Sequence, residues 1–146
     1  MDDPFDGLSN LQFLNKSSTM SLNYTIHANG SLILERGSGV LSDADVALHF
    51  QTLAKDDRID PNPRVLSDLR DVDHIDLTEH GFRKALNNQG RILADKAAIV
   101  APVELTFGLS RIYETLATEL GNEVRVFRDW HEALHWLDVE DVDLDD

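Results

Sequence analysis

Strand-like and helix-like segments alternate along most of this chain, and this alternation limits the folds open to it more than any other feature. After residue 42, helical patterns separate three short apolar segments, residues 64–69, 97–101 and 123–127. Parallel strands need a long crossover connection between them, and a helix usually supplies it. The order predicts an α/β domain with a mostly parallel sheet of about five strands and about four covering helices.

Two β-rich segments, residues 22–27 and 31–35, precede this alternating part of the chain. The sequence Ala-Asn-Gly at residues 28–30 separates them, and asparagine and glycine tolerate the positive φ angles of tight turns. We therefore expect the sheet to open with an antiparallel hairpin. The Gly-Ser-Gly sequence at residues 37–39 interrupts the strand pattern, which predicts that the second strand ends before it.

Four segments have apolar side chains at the spacing of an amphipathic helix. Three of them follow a residue whose side-chain oxygen can cap a helix, namely Ser42, Thr78 and Asp129. Asp129 and Glu132 also have the spacing of a capping box. The capped helices are predicted to end at Lys55, near residue 90 and at Leu137, and the fourth helix covers residues 109–120.

The 146 residues are enough for one domain with its own core, and the chain contains no cysteine. Disulfides and thiolate metal sites are therefore excluded, and we expect a cytoplasmic protein. No apolar run approaches the roughly 20 residues of a membrane-spanning helix. We expect a flexible arm over residues 1–20, one domain over residues 21–137 and a disordered acidic tail over residues 138–146, with translation starting at Met1 or Met20.

The net charge of -14 is unevenly distributed along the chain. Residues 138–146 hold six acids and no base, whereas residues 20–137 hold 18 acids and 12 bases, a net of -6. A surface that binds nucleic acid or anionic lipid needs clustered lysine and arginine. The sequence shows no such cluster, so it predicts neither of these partners.

Three motifs in a defined order resemble a known family. They are Val-Leu-Ser-Asp-Leu at residues 65–69 with Ile-Asp-Leu-Thr at residues 75–78, Phe-Gly-Leu-Ser-Arg-Ile-Tyr-Glu at residues 107–114, and the segment 126–137. Together they resemble the SpoIIAA-like fold shared by anti-sigma-factor antagonists and sulfate-transporter tail (STAS) domains. The resemblance is closer to an uncharacterised bacterial branch with SEC14-like relatives. It covers residues 22–137 and implies a SpoIIAA-like sandwich.

The resemblance draws attention to Thr78. In anti-sigma-factor antagonists the matching helix opens with Asp-Ser-Ser-Gly, and its second serine is the phosphorylated switch. The corresponding residues here are Asp76, Leu77, Thr78 and Glu79. The resemblance implies that Thr78 is a phospho-acceptor, whereas the residues themselves indicate a helix cap worth about 1 kcal/mol. Asp76 and Glu79 would repel a phosphate, which favours the cap.

An acidic segment, residues 70–77, is predicted to form a loop after the strand at residues 64–69. Carboxylates at the ends of parallel strands can hold a hard cation or resemble the phospho-acceptor of a receiver domain, but the other residues of a receiver site are missing. We instead expect Asp68 to pair with an arginine such as Arg70 or Arg111. The candidate functional residues of this loop are Asp68, Arg70, Asp71 and Asp76.

Residues 131–135, His-Glu-Ala-Leu-His, match the pattern H-E-x-x-H of zinc metalloproteases. In that chemistry the two histidines bind zinc, the glutamate activates water, and a third ligand lies elsewhere. Here the predicted helix is short, no histidine follows it, and both histidines are expected on its solvent flank rather than in a cleft. The sequence predicts no catalytic metal and leaves His131 and His135 as opportunistic metal ligands.

Two functions remain open. The first is a regulatory module that meets an unknown protein partner through the helix after Thr78, with a homodimer as an open alternative. The second is a carrier or sensor of a small apolar, lipid-like ligand, which the SEC14-like relatives imply. A metal hydrolase comes third, because no complete catalytic constellation or cofactor motif is present. The ligand pocket of the second function would be lined by Phe107, Leu109, Arg111 and Tyr113.

Overall fold

The computed structural model describes residues 21–87, 95–102, 104–105, 108, 112 and 123–144. Five strands form one sheet in the order β1-β2-β3-β4-β5. They are β1 (Leu22–His27), β2 (Leu32–Ser42), β3 (Arg64–Asp76), β4 (Lys96–Val100) and β5 (Glu123–Phe127). Strand β1 pairs antiparallel with β2, and the later neighbours pair in parallel. The predicted α/β fold with an opening hairpin is therefore confirmed.

Three α-helices have bounds in the described residues, α1 (Asp43–Ala54), α2 (Glu79–Asn87) and α3 (Trp130–Leu137). Residues 104, 105, 108 and 112 are also helical. Ser42 and Asp129 cap α1 and α3 as predicted, because their side chains accept hydrogen bonds from backbone N–H groups in the first turn. The fourth predicted helix, residues 109–120, lies almost entirely outside the described residues. No helix in the described part of the chain has the length and apolar character needed to cross a membrane.

The two faces of the sheet pack against different helices, because successive side chains of a strand point to opposite faces. On one face, Leu69 and Ile99 pack with Val46 of α1, and Ile33 packs with Leu53 of the same helix. We call this the α1 face. The opposite face, which we call the α3 face, has a core that includes Leu34, Leu66, Val100, Ala133, Leu134 and Leu137.

Strand β2 is longer than the sequence pattern predicts, since it continues through the glycines of residues 37–39. Two shifts in its register with β3 occur in this segment, and such bulges allow a strand to continue past an interruption. Gly37 is buried, and a Cβ atom there would lie 2.8 Å from Leu69 Cδ2 and 3.0 Å from Val72 Cγ2. The prediction that these glycines end the strand was wrong, because Gly37 permits close packing within it and the register shifts let the strand continue.

The ordered chain also continues past the boundary expected after α3. Asp138 ends α3 in a left-handed conformation, and Val139 is only 5% exposed in the core of the α3 face. A short 3₁₀-helix, Asp141–Leu144, follows, and Leu144 packs against the same core. This part of the chain therefore differs from the disordered tail that its acidity predicts. The predicted N-terminal arm, residues 1–20, lies outside the described residues.

Candidate functional site

The acidic segment that the sequence predicts as a loop is the second half of strand β3. It pairs in parallel with the second half of β2, where Ser38 lies opposite Asp71 and Ser42 opposite Asp76. The loop prediction was wrong because the pairing with β2 keeps this charged segment extended. Asp71 and Asp76 are both exposed. We call the paired segments, residues 38–42 and 71–76, the β2–β3 extension.

Asp68 and Arg70 form the ion pair that the sequence leads us to expect. The Nε and Nη2 atoms of Arg70 lie 2.8 and 2.9 Å from the two carboxylate oxygens of Asp68. The guanidinium carbon of Arg70 also lies 4.3 Å from the ring centre of Trp130, a distance typical of a cation–π contact. Burial raises the pKa of Asp68, but the hydrogen bonds from Arg70 outweigh it and hold the pKa below its ordinary value. Both carboxylate oxygens are therefore engaged.

Thr78 connects the first turns of α1 and α2. Its Oγ1 accepts a hydrogen bond from the Gly81 N–H at 2.9 Å and donates one to Asp43 Oδ2 at 2.8 Å. The Thr78 N–H donates to the other Asp43 oxygen at 2.9 Å. A Cβ atom at Gly81 would lie 2.3 Å from the Asp43 carboxylate, so glycine leaves room for this contact. We call the two bonds between Asp43 and Thr78 the Asp43–Thr78 link.

A buried polar cluster lies on the α1 face. Its members are Glu35 of β2, His49 of α1 and Ser67 of β3, which are 8%, 2% and 7% exposed. His49 Nε2 lies 2.6 Å from Glu35 Oε2, and Ser67 Oγ donates to the other carboxylate oxygen. Burial raises the pKa of Glu35, but the charge of His49 and the hydrogen bonds from His49 and Ser67 together lower it by more. The pKa of Glu35 consequently lies below its ordinary value.

This cluster contains a serine, a histidine and a carboxylate, but not in the arrangement of a catalytic triad. In a triad the histidine contacts the serine and takes its proton. Here Glu35 lies between Ser67 and His49, and all three side chains are buried. The cluster instead ties α1 to two strands, with the Tyr24 ring packed edge-on against His49 at 5.6 Å between centroids.

The pairing of Glu35 with His49 is not among the sequence-based expectations, although the sequence contains a signal for each residue. His49 is three residues after Val46 and four before Leu53, which places it on the apolar side of α1. Glu35 is two residues after Ile33, so both side chains point to the same face of β2. A polar residue on each of two buried surfaces indicates that they meet.

His131 and His135 are both exposed on α3, and they also line an open groove of about 400 Å³ between α3 and β5. Both side chains lie on the solvent side of the helix, as expected, and the groove that they line is open to solvent. In the part of the chain that the structure describes, no group of three or more histidine, aspartate and glutamate side chains is placed to hold a metal ion. The other residues that line the groove are Arg125, Phe127, Asp129, Glu132 and Trp136.

The four residues predicted to line an apolar ligand pocket lie outside the described residues. The pocket therefore stays a prediction. These residues are Phe107, Leu109, Arg111 and Tyr113.

Two solved structures are similar to this chain over 84% of its length. One is an uncharacterised protein of the DUF3478 family from Shewanella loihica with a SpoIIAA-like fold; its TM-score is 0.55, its identity is 21%, and 98% of that chain is covered. The other is an anti-sigma factor antagonist from Mycobacterium paratuberculosis, with a TM-score of 0.50, 14% identity and 99% of that chain covered. No family model and no curated protein matches the sequence. Five strands in this order, their covering helices and these two similarities together show that the chain has the SpoIIAA-like fold.

Proposed function

We propose that the chain is a non-catalytic cytoplasmic regulatory module that binds a protein partner through the β2–β3 extension. The observation that carries this proposal is that the acidic segment is a paired strand rather than a loop. Asp71, Asp73 and Asp76 are exposed on it, and the strand holds them at defined spacings. A preorganised surface loses less conformational entropy on binding than a loop that must first become ordered.

The charge of this surface indicates the chemistry of the partner. Glu79, at the start of α2, continues the run of exposed acids beyond the strand, and Val40 of the extension is 50% exposed. Opposite charges across an interface steer association and suppress wrong partners. We therefore expect a partner that presents lysine and arginine side chains. The similarity to an anti-sigma factor antagonist supports a protein as the partner.

The contacts of the candidate residues also support a non-catalytic role. Asp68 is engaged by Arg70, and the Ser67 hydroxyl donates to the Glu35 carboxylate, whose lowered pKa makes it a weak base, rather than to a histidine. A nucleophile needs a base within hydrogen-bond reach and access to a substrate. In the described residues, the one buried serine–histidine–carboxylate cluster lacks this access, because all three side chains are buried.

The test begins with affinity purification of the tagged chain from its source cells and identification of the proteins retained. Binding to the purified partner is then compared for Asp73→Lys, Asp76→Lys and the control Asp57→Lys. Asp57 is exposed in the turn after α1, so its variant changes the net charge equally but outside the extension. We expect the two extension variants to weaken binding by about tenfold or more, equivalent to about 1.4 kcal/mol, and the control to change it little.

Two outcomes would contradict the proposal. In the first, no protein is retained above the level of a tag-only control. In the second, Asp57→Lys weakens binding as much as Asp73→Lys, which would mean that overall charge rather than this surface attracts the partner.

For Thr78 we propose the role of helix cap and connection to α1 rather than that of phospho-acceptor. Its hydroxyl already donates to Asp43 and accepts from Gly81. A phosphate there would stand beside Asp43, Asp76 and Glu79, which would repel it. Peptide mapping by mass spectrometry of the protein from its source cells should show no phosphate at this residue, and a stoichiometric phosphopeptide that maps to Thr78 would contradict this role.

A further inference from the structure

His131 and His135 lie one helical turn apart on α3 and line the same groove. Residues four apart on a helix are neighbours, with about 5–6 Å between their Cβ atoms. Two histidines at this spacing can bind one metal ion, as the pattern H-E-x-x-H illustrates. Both side chains are exposed, so an ion can reach them from solvent.

The surroundings of the histidine pair favour a bound cation. Asp129 and Glu132 line the groove with the histidines, and their carboxylates attract positive ions. Arg125 also lines the groove and opposes this attraction in part. Imidazole nitrogen suits zinc, nickel and copper, whereas magnesium and calcium prefer oxygen ligands.

The helix that carries the two histidines is well anchored. Asp129 caps its first turn, and Ala133, Leu134 and Leu137 are buried in the core of the α3 face. The histidines are therefore held on a rigid element, and binding does not have to order the backbone first. A preorganised pair loses less entropy on chelation than two histidines on a mobile loop.

We propose that His131 and His135 together bind one divalent transition-metal ion, of the class Zn²⁺, Ni²⁺ or Cu²⁺, at the surface of the groove. Water completes the coordination, because the described residues supply no group of three or more suitable side chains. The site differs from that of a metalloprotease, which needs a third protein ligand. It is also independent of the proposed partner surface, which lies on the β2–β3 extension.

The chain provides its own optical probe for this site. Its two tryptophans, Trp130 and Trp136, both lie on α3, and Trp136 lines the groove with the histidines. Cu²⁺ and Ni²⁺ quench tryptophan fluorescence at short range, whereas Zn²⁺ does not. Titration of the untagged full chain with Cu²⁺ at neutral pH should give saturable quenching at one ion per chain, reversed by excess Zn²⁺ or by a chelator.

Matched variants locate the site. Loss of an outer-shell partner typically weakens metal binding by roughly 10- to 100-fold, so loss of a ligand in His131→Ala or His135→Ala should cost at least as much. The control is His80→Ala, which removes an exposed histidine from α2. Alanine favours helices, and circular dichroism checks that each variant remains folded.

Each result of the titration either supports or overturns the proposed metal site. Saturable quenching that both α3 variants weaken and His80→Ala leaves unchanged would support the site. The proposal is overturned if the native chain shows no saturable quenching, or if the double variant His131→Ala/His135→Ala is quenched as strongly as the native chain.

Discussion

The two faces of the sheet are stabilised by different interactions. On the α1 face, a charged carboxylate, Glu35, is buried beside His49 and Ser67. On the α3 face, the side chains that pack with α3 are apolar, the buried His27 lies at the β1 edge opposite Leu32, and cations lie at the margin over tryptophan rings. Lys96 and Arg125 lie 4.9 and 5.3 Å from the Trp136 ring centre.

This difference shows that two kinds of interaction, apolar packing and a buried ion pair, can stabilise the two faces of one sheet. Apolar packing on the α3 face contributes in proportion to the area and volume that it fills. A buried ion pair on the α1 face contributes little net stability while complete, but removal of one partner leaves a charge in a medium that solvates it poorly. The two faces should therefore respond differently to substitution and to pH.

The largest effect is expected when the buried pair is broken on the α1 face. His49→Leu leaves the Glu35 carboxylate buried with Ser67 as its remaining side-chain donor, which should lower the free energy of unfolding by about 3–5 kcal/mol. Urea unfolding followed by circular dichroism measures this loss. The double variant Glu35→Met/His49→Leu removes the charge as well and should lose less; an equal loss in both variants would show that the unpaired charge is not the cause.

A comparable but slightly smaller effect is expected from a cavity on the α3 face. Leu134→Ala removes buried methyl groups from the core and should cost about 2–5 kcal/mol in the free energy of unfolding. The same urea measurement applies. Because no charge is uncovered, the loss should be the same near neutral pH and in mild acid, and a strongly pH-dependent loss would contradict the division between the two faces.

Acid should weaken the α1 face through Glu35. The pKa of Glu35 is lower in the folded chain than its ordinary value of 4.5. The Glu35 carboxylate thus contributes its full stabilisation above about pH 4.5, and this contribution is lost as the pH falls through the pKa that Glu35 has in the folded chain. In acid, the free energy of unfolding of Glu35→Gln should fall less steeply with pH than that of the native chain. The two slopes should differ by at most about 1.4 kcal/mol per pH unit, the value for one proton.

The comparison with Glu35→Gln isolates one carboxylate from the others. Asp56 and Asp68 also have lowered pKa values, through hydrogen bonds from Arg58 and Arg70, and contribute to acid unfolding in both proteins. Only the difference between the two curves reports Glu35. Parallel stability curves for the native chain and Glu35→Gln between neutral pH and acid would contradict the role given to this carboxylate.

The smallest effect is expected at the surface, where α1 and α2 meet. Thr78→Ala removes the cap of α2 and the hydroxyl bond of the Asp43–Thr78 link, which should cost about 1 kcal/mol in the free energy of unfolding. Thr78→Ser keeps the hydroxyl and should remain close to the native value. If Thr78→Ser loses as much stability as Thr78→Ala, the hydroxyl contacts are not what stabilises this junction.

Much of the fold could be predicted because it depends on near neighbours in the sequence. Strands β1 and β5 have the predicted bounds, and α1 and α3 begin at the predicted caps, Ser42 and Asp129. Periodicity and capping involve residues within about one helical turn of each other, so both can be recognised without knowledge of distant contacts. The resemblance to the SpoIIAA-like fold drew on the same local motifs.

The wrong predictions concern segments whose structure depends on residues far away in the sequence. The acidic half of β3 looked like a loop because its side chains are charged, yet a strand on the surface needs only a partner strand for its backbone. Val139 looked like part of an acidic tail, yet Val139 and Leu144 both pack against the core of the α3 face. In both cases the deciding contact comes from a distant part of the chain.

In the candidate site, too, local features could be predicted from the sequence, whereas contacts between distant residues could not. Thr78 was identified from its position before a helix, but its bonds to Asp43 join residues 35 apart in the sequence. The Glu35–His49 pair spans 14 residues and the Ser67–Glu35 bond spans 32. Such pairs depend on which strands become neighbours and on their register, and a single sequence does not specify either.

Residue pattern alone thus determined the order of strands and helices, the opening hairpin and the helix caps, because these follow from periodicity and from hydrogen bonds between near neighbours. Tertiary structure decided how far β2 and β3 extend, which polar side chains are buried together and where the histidines of α3 lie relative to β5. The physical reason is that burial and pairing are properties of two surfaces in contact, whereas the sequence of either surface describes only one of them.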